Sequence, residues 1–384
     1  MIKSMFDPEV WHKVPFHFWS VVFFIFGSMV GSFLNVCIHR MPLGLSIVRP
    51  PSHCPHCKYS IPWYLNIPLF TWLFLRGRCR NCGAQISIRY YLVELLTAVA
   101  FVSCWFAFGH QSAALVLIYG LFISGLIVAT FIDFEHFIIP DEITLGGTVV
   151  GLFCSLLVPS LHLKQVFSAE HPVRSPLLNS ICDSVLGLAL GAGIIYGILR
   201  LGKLFLGKKR LTLPANTTIT FSETALFFED KELPYEDVFY RASDVITLHA
   251  RSLELIDRCY QNVVVKLSAS RLLIDDEELD PETVAHMEAV SDEIVVPQEA
   301  MGLGDVKFMA AIGAFLGWRA VIVTLFLSSV IGSVIGLSAI ALGKRGWSTR
   351  LPYGPYIAIG ALICVFWGED LLKLWLWWMA GRPG

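Results

Sequence analysis

The strongest constraint on this chain is a series of apolar runs near bilayer length, at 16–38, 92–109, 112–132, 142–160, 181–206, 305–318, 320–342 and 353–379. A helix needs about 20 mostly apolar residues to cross hydrocarbon. The runs therefore predict a polytopic α-helical membrane protein of about eight transmembrane helices. Seven is the alternative count, because the sixth run is short and needs the fifth or seventh as a packing partner. Composition agrees: 55% of residues are hydrophobic and 16% charged, against about 25% charged in soluble domains. The first run ends in Asn35-Val-Cys-Ile-His-Arg40, not a small-residue cleavage site, so no cleavable signal peptide is expected.

Lys and Arg near helix ends set orientation. The 39–91 loop carries Arg40, Arg49, Lys58, Arg76, Arg78, Arg80 and Arg89 and no acid, and residues 200–210 and Lys344, Arg345 and Arg350 are also basic. The alternate loops are poor in bases, with Lys164, Arg174 and Arg319. This puts the N-terminus outside and 39–91, 133–141, 207–304 and 343–352 in the cytoplasm. The formal net charge of −2 argues against a nucleic-acid partner but hides a division. Residues 214–300 hold 19 acids against 6 bases, and the remainder 12 against 23. The parts expected are a first transmembrane helix (1–38), a cytoplasmic loop (39–91) whose two CxxC pairs read as a zinc ribbon, helices two to five (92–206), an acidic cytoplasmic insert (207–300), and a final segment with helices six to eight (301–384).

The insert repeats itself. Ile219-Thr-Phe-Ser-Glu-Thr-Ala-Leu parallels Val265-Lys-Leu-Ser-Ala-Ser-Arg-Leu, and the register runs on through Glu236/Glu282 and Val238/Val284. Each copy reads as two short strands, a polar helical turn and a further strand, at Val245–His249 and Ile294–Val296. A duplicated β-rich α+β unit whose halves bury their apolar faces together is the expectation; chance similarity of strand-rich segments is the alternative.

Of ten cysteines, four form Cys54-Pro-His-Cys57 and Cys79-Arg-Asn-Cys82, 21 residues apart. Two such pairs can present four thiolates tetrahedrally to Zn²⁺, and a closed four-sulfur sphere leaves no place for substrate water, so the site reads as structural. His53 and His56 read as solvated neighbours, and the other cysteines as small hydrophobes. Asp133 ends the third run, and an ionisable group at a membrane boundary is a functional candidate, with a plain cytoplasmic turn as the bland alternative. Asp141, after Pro140, reads as a helix N-cap. Gly302-Leu-Gly304-Asp305-Val-Lys307 opens the sixth run, where two glycines let backbone approach closely. Asp305 and Asp133 fall on the same face of the membrane. Two neighbouring carboxyls can divide into one base and one acid, the requirement for driving water onto an amide. Lys307 would pair with an acid or meet lipid phosphate.

These residues resemble the type IV prepilin peptidases, membrane aspartic endopeptidases of the GxGD type. The resemblance rests on Gly31-Ser-Phe-Leu-Asn-Val-Cys-Ile-His-Arg-Met-Pro42, both CxxC pairs, Asn66-Ile-Pro68 and Ile86-Ser-Ile-Arg-Tyr-Tyr-Leu-Val-Glu94. It continues through Ile132-Asp-Phe-Glu-His-Phe-Ile-Ile-Pro-Asp141, the GLGDVK string and Pro352-Tyr-Gly-Pro355. It implies that Asp133 and Asp305 are the catalytic aspartates, with Gly302 and Gly304 forming the GxGD turn, and that zinc sits on Cys54, Cys57, Cys79 and Cys82; Lys307 and Glu94 are further supporting candidates from the residues themselves. It further implies prepilin and type II secretion pseudopilin substrates and a bacterial inner-membrane location. The short basic leader is cut after a Gly, and many members then methylate the new N-terminus with S-adenosylmethionine. Tyr91 stands where the family commonly has Pro, and Glu135 where it often has Asp. The insert is absent from typical members; its charge suggests docking on a basic cytoplasmic surface, either the 39–91 loop or a partner. The competing class is a non-catalytic membrane adaptor docking partners through the zinc ribbon and insert. A transporter fits least, because the acids cluster at span ends.

Overall fold

A computed structural model describes residues 16–159, 161–162, 175–206, 302–342 and 351–379, and 208–297 apart from a few loop positions. The Lys344, Arg345 and Arg350 cluster, Lys164, Arg174, Glu236 and Glu282 lie outside the described residues. The chain divides into two compact units, Met1–Tyr196 with Leu303–Gly384, and Gly197–Gly302.

All eight apolar runs are helical: α1 (Phe16–Arg40), α3 (Ile88–Phe108), α4 (Ala113–His136), α5 (Asp141–Leu157), α6 (Pro176–Leu206), α7 (Leu303–Leu316), α8 (Trp318–Ala341) and α9 (Gly354–Met379). A short α2 (Phe70–Phe74) lies in the 39–91 loop. Among the described residues, five helices are long and apolar enough to cross a membrane: His17–Arg40, Ile88–Phe108, Ala113–His136, Pro176–Lys203 and Trp318–Ala341. The other three are 17, 14 and 26 residues long.

Local chemistry fixes several helix ends. Ser87 and Ser112 accept from the N–H two residues on and cap α3 and α4, relieving donors that have no partner in the first turn. Phe137, at φ +55°, closes α4 in the left-handed conformation. The N-cap of α5 is Pro140, not Asp141. Asp141 is already helical, because Pro140 cannot extend a helix backwards but its extended ψ launches one forwards.

The short α7 packs on α5 and α6 as well as on α8. A methyl at Gly151 would come within 3.1 Å of Ala314, and one at Gly187 within 2.2 Å of the Gly313 carbonyl oxygen. The facing Gly187 and Gly313 bring two backbones into direct contact, the way apolar helices associate where hydrophobic burial drives nothing. The fourth run is thus a partner of the sixth, alongside the fifth and seventh.

The second unit is one antiparallel sheet of eight strands: β1 (Lys208–Phe221), β2 (Ala225–Phe228), β3 (Lys231–Pro234), β4 (Ile246–Leu255), β5 (Cys259–Leu267), β6 (Leu272–Ile274), β7 (Glu277–Leu279) and β8 (Met287–Pro297). Their order is β3-β2-β1-β8-β4-β5-β6-β7. Exchanging β1–β4 for β5–β8 reverses this order into itself, so the sheet has an internal two-fold. The fourth strand of each copy pairs with the first strand of the other, β8 with β1 and β4 with β5. One buried cluster draws on both copies, including Ile219, Leu226 and Leu248 from one and Val265, Leu272 and Ile294 from the other.

The repeat spacing recurs in backbone detail. Asn216 and Asn262 both have positive φ, as do Glu229 and Asp275. Ser222 bonds the Ala225 carbonyl, and Ser268 the Arg271 carbonyl. The fourth strands break this spacing. Phe221 pairs with Met287 and Leu267 with Ile246, so Ile246 corresponds to Met287, and the second copy's last strand begins seven residues before Ile294. The Ile294–Val296 triplet stands out in sequence, but alternate burial starts at Met287 and Ala289.

Candidate active site and metal lobe

Each CxxC pair sits in the same small knuckle. Cys54 N–H donates to the Tyr59 carbonyl and Lys58 N–H to the Cys54 carbonyl; Cys79 N–H donates to Ala84 and Gly83 N–H to Cys79. Lys58 and Gly83 hold equivalent positions and both adopt positive φ, which turns each chain back on its first cysteine. Cys54 Sγ lies 3.8 Å from Cys82 Sγ, and Cys57 Sγ 4.0 Å from Cys79 Sγ. All four sulfurs fall within 4.8 Å of one another. A tetrahedral zinc with Zn–S bonds of about 2.3 Å requires sulfurs roughly 3.8 Å apart, so the donor set and its spacing fit zinc. The Asn81 side chain and the Tyr59 backbone pull the Cys57 thiol down to about 6. Backbone hydrogen bonds from Cys82 and Asn81 also lower Cys79. At Cys82 the Ala84 backbone pulls the thiol down, but desolvation and the neighbouring Cys57, Cys79 and Cys54 sulfurs outweigh it and push it up to about 11. The four thiols thus share their protons unevenly, and the case for a metal rests on the donor set and its spacing. The four cysteines come together; His53 instead contacts the Pro51 carbonyl.

At one end of the helix bundle Asp133, 5% exposed, occupies the last turn of α4. Its Oδ2 accepts the Gly354 N–H at 3.0 Å. Gly354 is the first residue of α9, so the carboxylate takes up a helix N-terminal donor that has no partner within its own helix. A methyl at Gly354 would sit 2.6 Å from Asp133 Oδ2 and 3.1 Å from Ile139 Cδ1. Ile139 in turn lies 3.6 Å from the Cβ position of Gly304. Ile139 thus joins the GLGD turn to the Asp133–Gly354 contact. Asp305 follows immediately, half-buried in the first turn of α7. Lys307 Nζ reaches Asp141 Oδ1 at 2.6 Å and ties the starts of α5 and α7 together. Both side chains are partly exposed, so the pair is worth about 0–1 kcal/mol.

Glu94 is buried on α3 and away from this cluster in its contacts: its Oε2 accepts the Leu69 N–H at 2.7 Å. Leu69 adopts φ +64°, uncommon for a side-chain-bearing residue, and the carboxylate holds it there at the start of α2. The two departures from the family pattern both have partners. Tyr91 packs against Trp72 with ring centroids 5.3 Å apart, and Glu135 pairs with Arg89 between α4 and α3. Sequence reasoning gave no role to Gly354 or Ile139. The signal was present in Pro352-Tyr-Gly-Pro355 and in the residues just after Asp133, but their contact bridges more than two hundred residues of chain.

Fold and site together define a multi-pass helical membrane protein with a four-cysteine cluster that could hold a metal ion, a β-sheet insert and a buried aspartate beside a glycine-rich turn. Residues 25–108 match the family model described as the bacterial Peptidase A24 N-terminal domain, and residues 283–337 match that of the type IV leader peptidase family. The Aeromonas hydrophila protein named prepilin leader peptidase/N-methyltransferase is 28% identical, covering 96% of this chain and 97% of its own length. The Pseudomonas aeruginosa protein of the same name is 26% identical over 92% and 91%. A Myxococcus xanthus protein, also so named, is 49% identical over 35% of this chain and 39% of its own. No solved structure matches. The chain is similar along nearly its whole length to proteins named prepilin leader peptidase/N-methyltransferase, in agreement with the resemblance carried by its motifs.

Proposed function

We propose that this protein removes the short basic leader of type IV prepilins and type II secretion pseudopilins at the cytoplasmic face of the bacterial inner membrane, and then N-methylates the new N-terminal residue. The observation that carries the reading is the Asp133 carboxylate, buried at a helix end on the Gly354 N–H with the GLGD turn packed beside it. In this reading the eight helices all span, the N-terminus is outside, and Asp133 and Asp305 share the cytoplasmic boundary. A substrate with a cytoplasmic leader joined to a membrane helix has its scissile bond at that depth.

One of the two aspartates, ionised, takes a proton from water; the other, protonated, polarises the scissile carbonyl. The tetrahedral intermediate collapses as a proton passes to the leaving amine. Because a coupled pair titrates jointly, the roles belong to the pair. Gly354 supports Asp133 by fixing its carboxylate, and the Lys307–Asp141 pair supports the turn that carries Asp305. Zinc on the four cysteines would order the 39–91 loop. S-adenosylmethionine would supply the methyl group. A cleft of about 630 Å³ beside the lobe, with Asn35, Tyr90 and Glu94 in its wall, suits such a ligand. Asn35 is buried and its Oδ1 has no partner among the described residues. The acidic insert would dock a basic cytoplasmic partner; unchanged cleavage, expression and pull-down partners after deletion of 214–297 would remove that role.

Asp133→Asn and Asp305→Asn are each expected to abolish leader cleavage with the protein still membrane-inserted. Retained cleavage in either would refute the dyad. The adaptor reading is not favoured, since the relatives that span the chain carry an enzyme's name.

A further inference from the structure

The 39–91 loop reads in sequence as a solvated cytoplasmic lobe, but its packing places part of it beside a membrane helix. Leu69, at the start of α2, is bonded to Glu94, six residues into α3. At 1.5 Å per residue that is about 9 Å along the helix. Trp72 of α2 packs its ring at a tilt against Tyr91 and donates to the Ile86 carbonyl, so α2 is tied to α3 along its first two turns. At 21 residues, α3 is only about as long as the hydrocarbon core is thick. Its first turns therefore cannot stand far out in water, and neither can α2.

The face of α2 turned away from α3 is apolar. Phe70 is 74% exposed and Phe74 84%, and Trp63 in the preceding 3₁₀ turn is 82% exposed. On α3 itself Ile88, Leu92 and Leu96 are exposed as well. The apolar face of α2 also borders a groove of about 840 Å³ that runs along α1 from Val21 past Met29 and Phe33 to Phe70. Arg40 and Pro50 close the groove at its loop end. Arg76, Arg78 and Arg80 follow α2 directly, and the loop contains no acid.

The geometry points to Trp63–Phe74 as a membrane-interface element that seats the zinc lobe on anionic phospholipid of the cytoplasmic leaflet, with acyl chains against Phe70 and Phe74 and in the α1 groove. Three observations select lipid: the depth set by Glu94, the exposed apolar side chains that α3 carries beside α2's attachment, and a basic rim that complements an anionic headgroup. A cationic peptide would be repelled by the same rim. The assignment stands apart from the catalytic reading, because no aspartate of the proposed dyad takes part.

The test is photo-crosslinking of the full-length protein in nanodiscs that contain a phospholipid with a diazirine on its acyl chain, followed by peptide mapping. Adducts are expected on 63–74 as well as on α1, and more in phosphatidylglycerol-containing discs than in pure phosphatidylcholine discs. The double variant Phe70→Ser/Phe74→Ser should lower the 63–74 adducts by about tenfold while α1 labelling and bound zinc stay at the parent level. Labelled α1 with unlabelled 63–74 in the same sample would overturn the assignment. So would equal labelling in the two lipids, or chain-to-chain crosslinks through 63–74 in place of lipid adducts.

Discussion

Gly354→Ala isolates the contact that holds Asp133. The backbone at Gly354 is free of left-handed strain, so the substitution acts only through the added methyl, which would lie 2.6 Å from Asp133 Oδ2. Ordinary van der Waals contact begins near 3.4 Å, so the carboxylate must recede by about 0.8 Å. Ile139 Cδ1 at 3.1 Å blocks the alternative of moving the methyl sideways. The retreat stretches the 3.0 Å hydrogen bond out of range, losing a charge-assisted contact worth about 1.5–3 kcal/mol. It also misplaces a reacting group, and about 1 Å of misplacement costs on the order of 10²-fold in rate, or ~2.7 kcal/mol of barrier. The expected result is a drop of about 10²-fold in kcat/KM for cleavage of a prepilin peptide by the purified protein in nanodiscs. Methylation of a peptide already bearing the mature N-terminus should stay near the parent rate, since no described contact joins Asp133 to the cleft beside the four-cysteine lobe that is proposed for the methyl donor. Full cleavage by the variant would refute the positioning argument, as would an equal loss of both activities.

Zinc removal by a chelator, or Cys54→Ser, should raise amide hydrogen exchange across 52–86 and leave α4 to α9 protected; uniform deprotection would contradict a local structural site. Lys307→Ala should lower kcat/KM by no more than about fivefold, because a partly exposed ion pair is worth about 0–1 kcal/mol; a loss as deep as that of the aspartate variants would give Lys307 a larger part. Gly187→Leu should cut thermal stability in detergent, as a side chain there meets the Gly313 backbone at 2.2 Å and overpacking costs about 1–3 kcal/mol or more. An unchanged Tm would mean α6 and α7 are not in contact.

Much of this molecule is legible because water is excluded from it. Bilayer length imposes a coarse period on the sequence, and each predicted run is helical, although among the described residues five helices are long and apolar enough to cross a membrane. The CxxC knuckles are legible for a different reason, since both ligands and turn lie within six residues. What escapes the sequence is contact between distant segments. Gly354 looks like any glycine in a turn until α9 brings its N–H to Asp133. The short α2 has too few residues for a period, and its contacts with Glu94, Tyr91 and Ile86 show where it lies. Asp141 has the composition of a cap, but Pro140 takes that position and Lys307 takes the carboxylate. In the insert the repeat is readable wherever turns fix the register, and it slips at the fourth strand, where the connection is five residues shorter in the second copy.

The exchanged fourth strands of the insert have a hereditary consequence. A single copy would leave its fourth strand without a neighbour inside its own chain and would complete its sheet only by trading that strand with a second molecule. The duplicated unit is in effect a dimer written into one gene, and neither half can afterwards be lost alone. A truncation at the midpoint, between β4 and β5, would not yield half a domain. It would yield a sticky fragment with two open edges, looking for its missing twin.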